Sequence, residues 1–138
     1  MKVKVEITEL NFEELVNILS TAFYDNAYME LNYVHDKNSK RHECYEENAA
    51  QALLDGRAIL VTDWGGSTDF GTRYGHLPAV FDNPDGVWTY QVKLQDFYKG
   101  ASNPECLRMI EDILTGEGDM ITGWNLMQKI IFEEVIYG

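Results

Sequence analysis

The sequence predicts an α+β fold, with a small mixed or antiparallel sheet of about four strands packed against four helices. Two observations lead to this prediction. Segments with apolar residues at every second position are interspersed with segments whose apolar residues recur at helical spacing. The resulting order, β-α-β-α-β-β-α-α, differs from the strict strand–helix rhythm of a doubly wound fold. The 138 residues contain no internal repeat or linker, so we expect a single domain over residues 1–138.

Five elements are expected in the first half of the chain, from the spacing of their apolar residues. They are a strand over Lys2–Ile7, a helix over Phe12–Tyr24, a strand over Tyr28–Val34, a helix over Glu43–Asp55 and a strand over Ala58–Trp64. For Tyr28–Val34, a continuation of the preceding helix is the alternative. The first helix has the clearest start, because Asn11 can cap it and Glu14 stands at the capping-box position. Gly56 is expected to end the second helix, with Tyr45 on its inward side. The third strand is rich in β-branched residues, which favours a central place in the sheet.

The second half begins with a glycine-rich connection and a hairpin. Residues 65–75 contain four glycines, and the residue types of 83–86 are those of a turn between two extended segments. Three helical segments follow the hairpin. They are one turn over Gln95–Lys99 ended by Gly100, a helix opened by Asn103-Pro104 and ended by Gly116, and a last helix from Gly123 to about Glu134 with Thr122 as its cap.

The strongest compositional feature is acidity. The chain carries 23 Asp and Glu against 11 Lys and Arg, a formal net charge of −12, and the acids are spread along its length. Such a field repels nucleic acid and anionic membranes and attracts basic protein surfaces. Because 12% of the residues are aromatic, the composition indicates a packed domain with a charged surface rather than a disordered acidic chain. We therefore expect a host protein with a basic surface as partner, with no direct nucleic-acid or membrane contact; a homo-oligomer is compatible with the sequence.

The cysteines and the N-terminal segment favour a cytoplasmic location. Cys44 and Cys106 lie far apart without a CxxC motif, and we expect both to be buried free thiols in a reducing compartment. The first residues alternate apolar and charged types instead of forming a hydrophobic signal segment. The apolar stretches are also too short to span a bilayer.

Motifs for metal, phosphate or catalytic chemistry are incomplete. His42-Glu43-Cys44 with His35 supplies at most three ligands, where a structural zinc site needs four. The glycines at 65 and 66 are followed by Asp69, where a phosphate loop requires a Lys-Ser/Thr pair. Asp82–Asp85 resembles part of a calcium loop, but Lys93 occupies the place of its final glutamate. We predict no catalytic residue, no metal site and no cofactor.

Three functional hypotheses follow. The first is a non-enzymatic inhibitor whose acidic face binds a basic host protein, with carboxylates in place of phosphates as in a DNA mimic. The candidate residues of this face are Glu43, Glu46, Glu47 and Asp55. An even mixture of acidic and basic residues on the surface would weaken this hypothesis.

The second hypothesis is a small-molecule binding protein, such as a sponge for a signalling nucleotide, with aromatic rings for the base and arginines for the phosphate. The candidate residues are Trp64, Tyr74, Trp88, Arg57, Arg73 and Arg108. A concave pocket that pairs an aromatic ring with one of these arginines would favour it. The third and least supported hypothesis is a small hydrolase that uses Asp63 or Asp96 with His76.

Several segments resemble a family of small uncharacterised acidic proteins encoded by phages and conjugative elements of gut bacteria. The segments that carry the resemblance are Leu19–Ala22 with Tyr24, Cys44–Glu46, Leu53–Gly56, Val61–Trp64, Tyr90–Asp96 with Lys99-Gly100, and the tail Leu126–Gly138. The family commonly has Gly where this chain has Glu133. The resemblance covers most of the chain and implies a mobile-element setting, in which small acidic proteins often act against host defence systems. It carries over no functional residue.

Overall fold

A computed structural model describes residues 9–26, 28–65 and 72–137. Within these residues it contains five helices and a four-stranded antiparallel sheet, which confirms the α+β prediction. In chain order the elements are α1 (Phe12–Phe23), β1 (Met29–Tyr33), α2 (Tyr45–Leu54), β2 (Ile59–Asp63), β3 (Ala79–Asp82), β4 (Val87–Val92), α3 (Leu94–Ala101), α4 (Pro104–Leu114) and α5 (Met120–Phe132). The strand predicted at Lys2–Ile7 lies outside the described residues. Among the described helices, none has the length and apolarity needed to cross a membrane.

The sheet has the strand order β1-β2-β4-β3, and every neighbouring pair is antiparallel. As predicted, β2 is an inner strand: Val61 pairs with Leu31 of β1 on one side and with Tyr90 of β4 on the other. The predicted hairpin joins β3 to β4. Its turn closes through a 2.7 Å hydrogen bond from the Gly86 amide to the Asp82 carbonyl, and Gly86 has the positive φ of 67° that glycine tolerates.

The helices pack on one face of the sheet around a continuous core. One cluster of buried side chains draws on all five helices and on β1, β2 and β4. Helix α1 contacts α2, α4 and α5 and buries a stripe at helical spacing, formed by Leu15, Ile18, Leu19 and Ala22. Its capping box is present as predicted, with Asn11 accepting from the Glu14 amide at 2.9 Å and Glu14 accepting in return from Asn11.

Helix α3 is a full helix instead of the predicted single turn, which gives five helices instead of four, and α5 begins three residues earlier than predicted. Helix α3 runs for eight residues through Gly100, so the prediction of one turn ended by that glycine is wrong. Helix α5 begins at Met120, because the Asp119 carboxylate accepts a 3.0 Å hydrogen bond from the Thr122 amide. Thr122 is therefore a residue of the first turn rather than the cap, and Gly123 lies inside the helix.

Both of these glycines lie at close contacts between helices. A Cβ atom added to Gly123 would lie 2.8 Å from the backbone of Ala22 in α1. A Cβ atom added to Gly100 would lie 2.9 Å from the side chain of Ile130 in α5. The absence of a side chain at these positions permits close packing inside a helix, instead of ending a helix at Gly100 or beginning one at Gly123.

Helix α2 begins two residues later than predicted, at Tyr45, and its tyrosine faces outward. The Tyr45 side chain is 42% exposed, in contrast to the predicted inward position. Its hydroxyl donates a 2.6 Å hydrogen bond to Asn32 of β1, and its ring lies 5.1 Å from that of Tyr33. These contacts attach the start of α2 to the exposed side of β1.

Candidate functional site

A cavity of about 370 Å³ lies beside the loop that joins β1 to α2. Its charged and aromatic walls are formed by Tyr33, His35, Asp36, Lys37, Lys40, Arg41 and Arg57, and we call it the basic cavity. Four of the chain's 11 Lys and Arg residues line it, against one carboxylate among the described residues of its wall. In a chain with a net charge of −12, the sign of the charge is therefore reversed at this place.

Arg57 fixes the shape of the basic cavity. Its side chain is only 16% exposed, and one terminal nitrogen, Nη1, donates to the Val34 carbonyl at 2.5 Å. The other, Nη2, donates at 2.9 Å to both Ser39 Oγ and Asp55 Oδ2. These bonds tie the loop to the end of α2, so Arg57 acts first as a wall of the cavity. Its Nε is buried without a hydrogen-bond partner among the described residues.

The other walls of the basic cavity include a pair of rings and three further cations. The rings of Tyr33 and His35 have their centroids 4.4 Å apart. Lys37, Lys40 and Arg41 are exposed, and none of them forms an ion pair with another described residue. Such a combination of free positive charge and aromatic surface suits an anion with a planar apolar part.

A second depression, open to solvent and about 350 Å³ in volume, lies where α1, β1 and α2 meet. Asp25, Glu30 and Glu46 line it beside Phe23 and Tyr45, and its described lining contains no Lys, Arg or His. We call it the acidic groove. Helix α1 ends here without a basic residue in its last turn, so the carbonyl end of the helix adds to the negative potential.

The four residues of the predicted acidic face have different surroundings. Glu46 lines the acidic groove. Asp55 accepts hydrogen bonds from Ser39, Gln51 and Arg57, and these bonds lower the pKa of its carboxyl below the ordinary value. Glu47 Oε2 lies 4.0 Å from His42 Nδ1, and Glu43 is exposed just before α2. Of the four, Glu46 is thus the residue that the structure places in a depression.

Cys44 and His42 have structural surroundings rather than those of a metal site. Cys44 is exposed as the residue before α2, so the prediction that it is buried is wrong, whereas Cys106 is buried as predicted. Glu47 raises the pKa of the Cys44 thiol, first through a side-chain hydrogen bond and then through its charge. The His42 ring stacks on Phe12 with centroids 4.8 Å apart. Within the described residues, no three His, Cys, Asp or Glu side chains are arranged to hold a metal ion.

The structure brings together one pair among the six residues of the predicted aromatic and arginine pocket. Arg73 lies over the Trp88 ring, 5.3 Å from its centroid, and also donates to the Leu77 carbonyl. Trp64 is 45% exposed, and its indole donates at 3.0 Å to Glu30. The other three residues have separate places: the Tyr74 amide donates to the Tyr90 hydroxyl, Arg57 lines the basic cavity, and Arg108 is exposed on α4.

The residues of the hydrolase hypothesis are divided between two places. Asp96 and His76 line a cavity of about 240 Å³ together with Cys106 and Glu133. In this cavity His76 Nε2 lies 3.7 Å from Glu133 Oε2, and burial raises the pKa of the Cys106 thiol. Asp63 instead accepts 3.0 Å hydrogen bonds from the Tyr137 hydroxyl and the Gly65 amide.

A fully buried glutamine, Gln128 of α5, holds the segment that carries Tyr137. Its Oε1 accepts from the amides of Ile136 and Tyr137 at 2.9 and 2.7 Å, and its Nε2 donates to the Tyr137 carbonyl at 3.0 Å. These bonds place the Tyr137 hydroxyl on Asp63, whose pKa is raised by burial. We interpret this arrangement as structural, because every polar group in it has a partner.

The sequence contains one indication of the basic cavity that the analysis by motifs overlooks. Lys37, Lys40 and Arg41 fall within five positions of an otherwise acidic chain, directly after the aromatic Tyr33. No protein-family model matches the chain, and neither a curated protein nor a solved structure is significantly similar to it.

Proposed function

We propose that the protein acts by binding rather than by catalysis, and that it engages a basic protein partner through its acidic surface. The observation that carries the proposal is the separation of charge. The basic cavity collects four of the 11 basic residues and one of the 23 acidic ones, which leaves seven Lys and Arg against 22 Asp and Glu for the rest of the chain. Outside the basic cavity the acidic residues therefore greatly outnumber the basic ones. The negative field that results accelerates the encounter with a basic protein surface.

The acidic groove is the place on this surface that best fits a cationic side chain of the partner. The apolar part of a Lys or Arg side chain would pack on Phe23 and the Tyr45 ring. Its charged end would meet the carboxylates of Asp25, Glu30 and Glu46.

The chemistry of the partner follows from the charge. Proteins that handle nucleic acids carry Lys and Arg clusters shaped to meet phosphates, and spaced carboxylates can take the place of those phosphates. A host nucleic-acid-handling or defence protein is therefore the partner that we propose, with the cytoplasm as the site of the encounter. The resemblance to a family of mobile-element proteins points to the same class.

Two features support binding over catalysis. The buried Cys106 thiol, which lines a cavity together with His76, has its pKa raised by burial, whereas a catalytic thiol needs a lowered pKa. Asp63, a carboxyl whose pKa is raised as in many catalytic acids, is covered by Tyr137 and is 7% exposed.

A matched pair of variants tests the proposal. Glu30→Gln with Glu46→Gln removes two charges from the acidic groove, and Glu111→Gln with Glu117→Gln removes two exposed charges in and after α4. The partner is first captured from bacterial lysate at about 50 mM salt, identified by mass spectrometry and purified. We expect a basic nucleic-acid-handling protein, at least about tenfold weaker binding by the groove variant, and a change below about twofold for the control.

Two results would contradict the proposal. One is retention of the partner that stays the same when the salt concentration rises to about 500 mM, because an electrostatic complex weakens with salt. The other is an affinity that neither pair of substitutions alters.

A further inference from the structure

We infer that the basic cavity is a binding site for a nucleoside phosphate. The base lies against the ring pair of Tyr33 and His35, and the phosphates meet the ammonium and guanidinium groups of Lys37, Lys40 and Arg41. This site is distinct from the acidic groove, and the inference does not depend on the proposed protein partner.

The size and charge of the cavity suit this ligand. Its volume of about 370 Å³ lies within the range of about 300–1,000 Å³ that is usual for small-molecule sites. Among its described walls, three cations without an ion pair oppose the single carboxylate of Asp36, an excess of two positive charges, because Arg57 is paired with Asp55. A nucleoside diphosphate carries a compensating negative charge at neutral pH, so its binding relieves the repulsion between the cations.

The lack of internal ion pairs strengthens the assignment. The chain has 23 carboxylate side chains, yet Lys37, Lys40 and Arg41 form no ion pair with any described one. Arg57, in contrast, is paired with Asp55 and shapes the wall. Arg57 is thus held by its protein partners, whereas the charges of Lys37, Lys40 and Arg41 are available to a ligand.

The aromatic wall and the charge of the whole chain narrow the ligand class. Inorganic phosphate or pyrophosphate would make no use of the aromatic surface that Tyr33 and His35 contribute to the wall, whereas a nucleobase can stack on it. A polynucleotide would extend beyond the cavity into the field of a chain with a net charge of −12 and would be repelled. A single nucleotide remains inside the region of positive charge.

Calorimetric titration of the full chain with ADP, GDP, pyrophosphate and a 12-nucleotide single strand tests the inference. We expect at least one of the two nucleotides to bind at least about tenfold more tightly than pyrophosphate, because stacking adds to the phosphate contacts. Arg41→Gln should weaken the binding of that nucleotide at least about tenfold, since the substitution removes a charged contact to the phosphates. Arg108→Gln removes the same charge from exposed α4 and serves as the matched control, with an expected change below about twofold.

A second variant tests the contacts of the base separately from those of the phosphates. His35→Ala changes an exposed loop residue, and we expect it to weaken nucleotide binding while leaving pyrophosphate binding unchanged. The Glu30→Gln and Glu46→Gln protein should bind the nucleotide like the unmodified chain. Three results would overturn the inference: absence of nucleotide binding at millimolar concentration, equal losses for Arg41→Gln and Arg108→Gln, or tighter binding of the single strand than of either nucleotide.

Discussion

Substitution of Gly123 by alanine should separate α1 from α5, whereas the same change at Gly100 should be tolerated. Both glycines lie inside helices, so alanine favours the helical conformation at each by about 0.8–1.0 kcal/mol. The two sites differ in what the new methyl group meets. At Gly123 it meets the Ala22 Cα and N atoms, both at 2.8 Å. At Gly100 it meets Cγ1 of Ile130, at 2.9 Å, which belongs to a side chain that can rotate away.

The contact distances set the expected magnitudes. Carbon atoms pack at about 3.5–4.0 Å, so the backbones of α1 and α5 would have to move apart by about 0.7 Å or more at Gly123. Overpacking of this kind costs about 1–3 kcal/mol, and a contact with rigid backbone lies at the upper end. After the gain in helix propensity, we expect Gly123→Ala to lower the free energy of unfolding by about 2 kcal/mol. For Gly100→Ala the cost of overpacking and the gain in helix propensity nearly cancel, so the free energy of unfolding should change by less than about 0.5 kcal/mol.

Urea unfolding followed by circular dichroism measures both changes, and thermal unfolding should show a loss of about 6–8 °C for Gly123→Ala. Since both variants make the same chemical change in a helix, each is the control for the other. Equal stabilities for the two variants, or a larger loss at Gly100, would refute the assignment of Gly123 to a backbone contact.

Three further predictions concern the end of α5 and the segment after it. Gln128→Leu removes three hydrogen bonds to residues 136 and 137 and should lower the free energy of unfolding by about 3 kcal/mol in urea titrations, compared with less than about 1 kcal/mol for Asn125→Leu. Burial raises the pKa of Asp63 above its unfolded value of about 3.9, so the unfolded chain releases this proton first as the pH rises. The stability that Asp63 contributes therefore declines from about pH 4 upward through the folded pKa, and Asp63→Asn should remove this decline from the pH profile of unfolding. Glu133→Gly should raise the melting temperature by about 2–4 °C, because Glu133 has a φ of 69° that glycine adopts without strain.

Each of these predictions has a result that contradicts it. A Gln128→Leu protein as stable as the Asn125→Leu protein would mean that solvent replaces the three bonds without loss. An Asp63→Asn profile parallel to that of the unmodified chain would show that Asp63 titrates normally. A lower melting temperature for Glu133→Gly would mean that its pairing with His76, at 3.7 Å, outweighs the backbone strain.

Elements whose determinants are neighbours in the sequence could be predicted. The capping box of α1 depends on Asn11 and Glu14 alone, and the hairpin turn depends on residues 83–86. The two glycines of α3 and α5 could not be assigned in this way, because a glycine at the boundary of a helix and one that packs against another helix are the same residue type. The atoms that decide between these roles at Gly123 belong to Ala22, a hundred positions earlier.

The candidate sites were predictable only in part, because each of them combines residues that are far apart in the sequence. Tyr33 and the cations at 37, 40 and 41 are close in the sequence, but Arg57 joins them through the pairing of β1 with β2. The hydrogen bond from the Val34 amide to the Ala58 carbonyl, at 3.0 Å, continues that pairing to the edge of the cavity. The acidic groove likewise combines residues of α1, β1 and α2, and the separation of its carboxylates depends on how these elements pack.

The position of Cys44 affects how readily its thiol is oxidised or alkylated. A thiol at the start of a helix is ordinarily ionised more easily, but Glu47 and the other nearby glutamates oppose this effect and keep Cys44 protonated. Oxidative coupling of two chains should therefore be slow at neutral pH, even though the thiol is exposed. Maleimide labelling should accelerate as the pH rises, because the thiolate is the reactive species. A dye attached there would lie three positions from Arg41 of the basic cavity and next to Tyr45 of the acidic groove, where one fluorophore can follow occupancy of both.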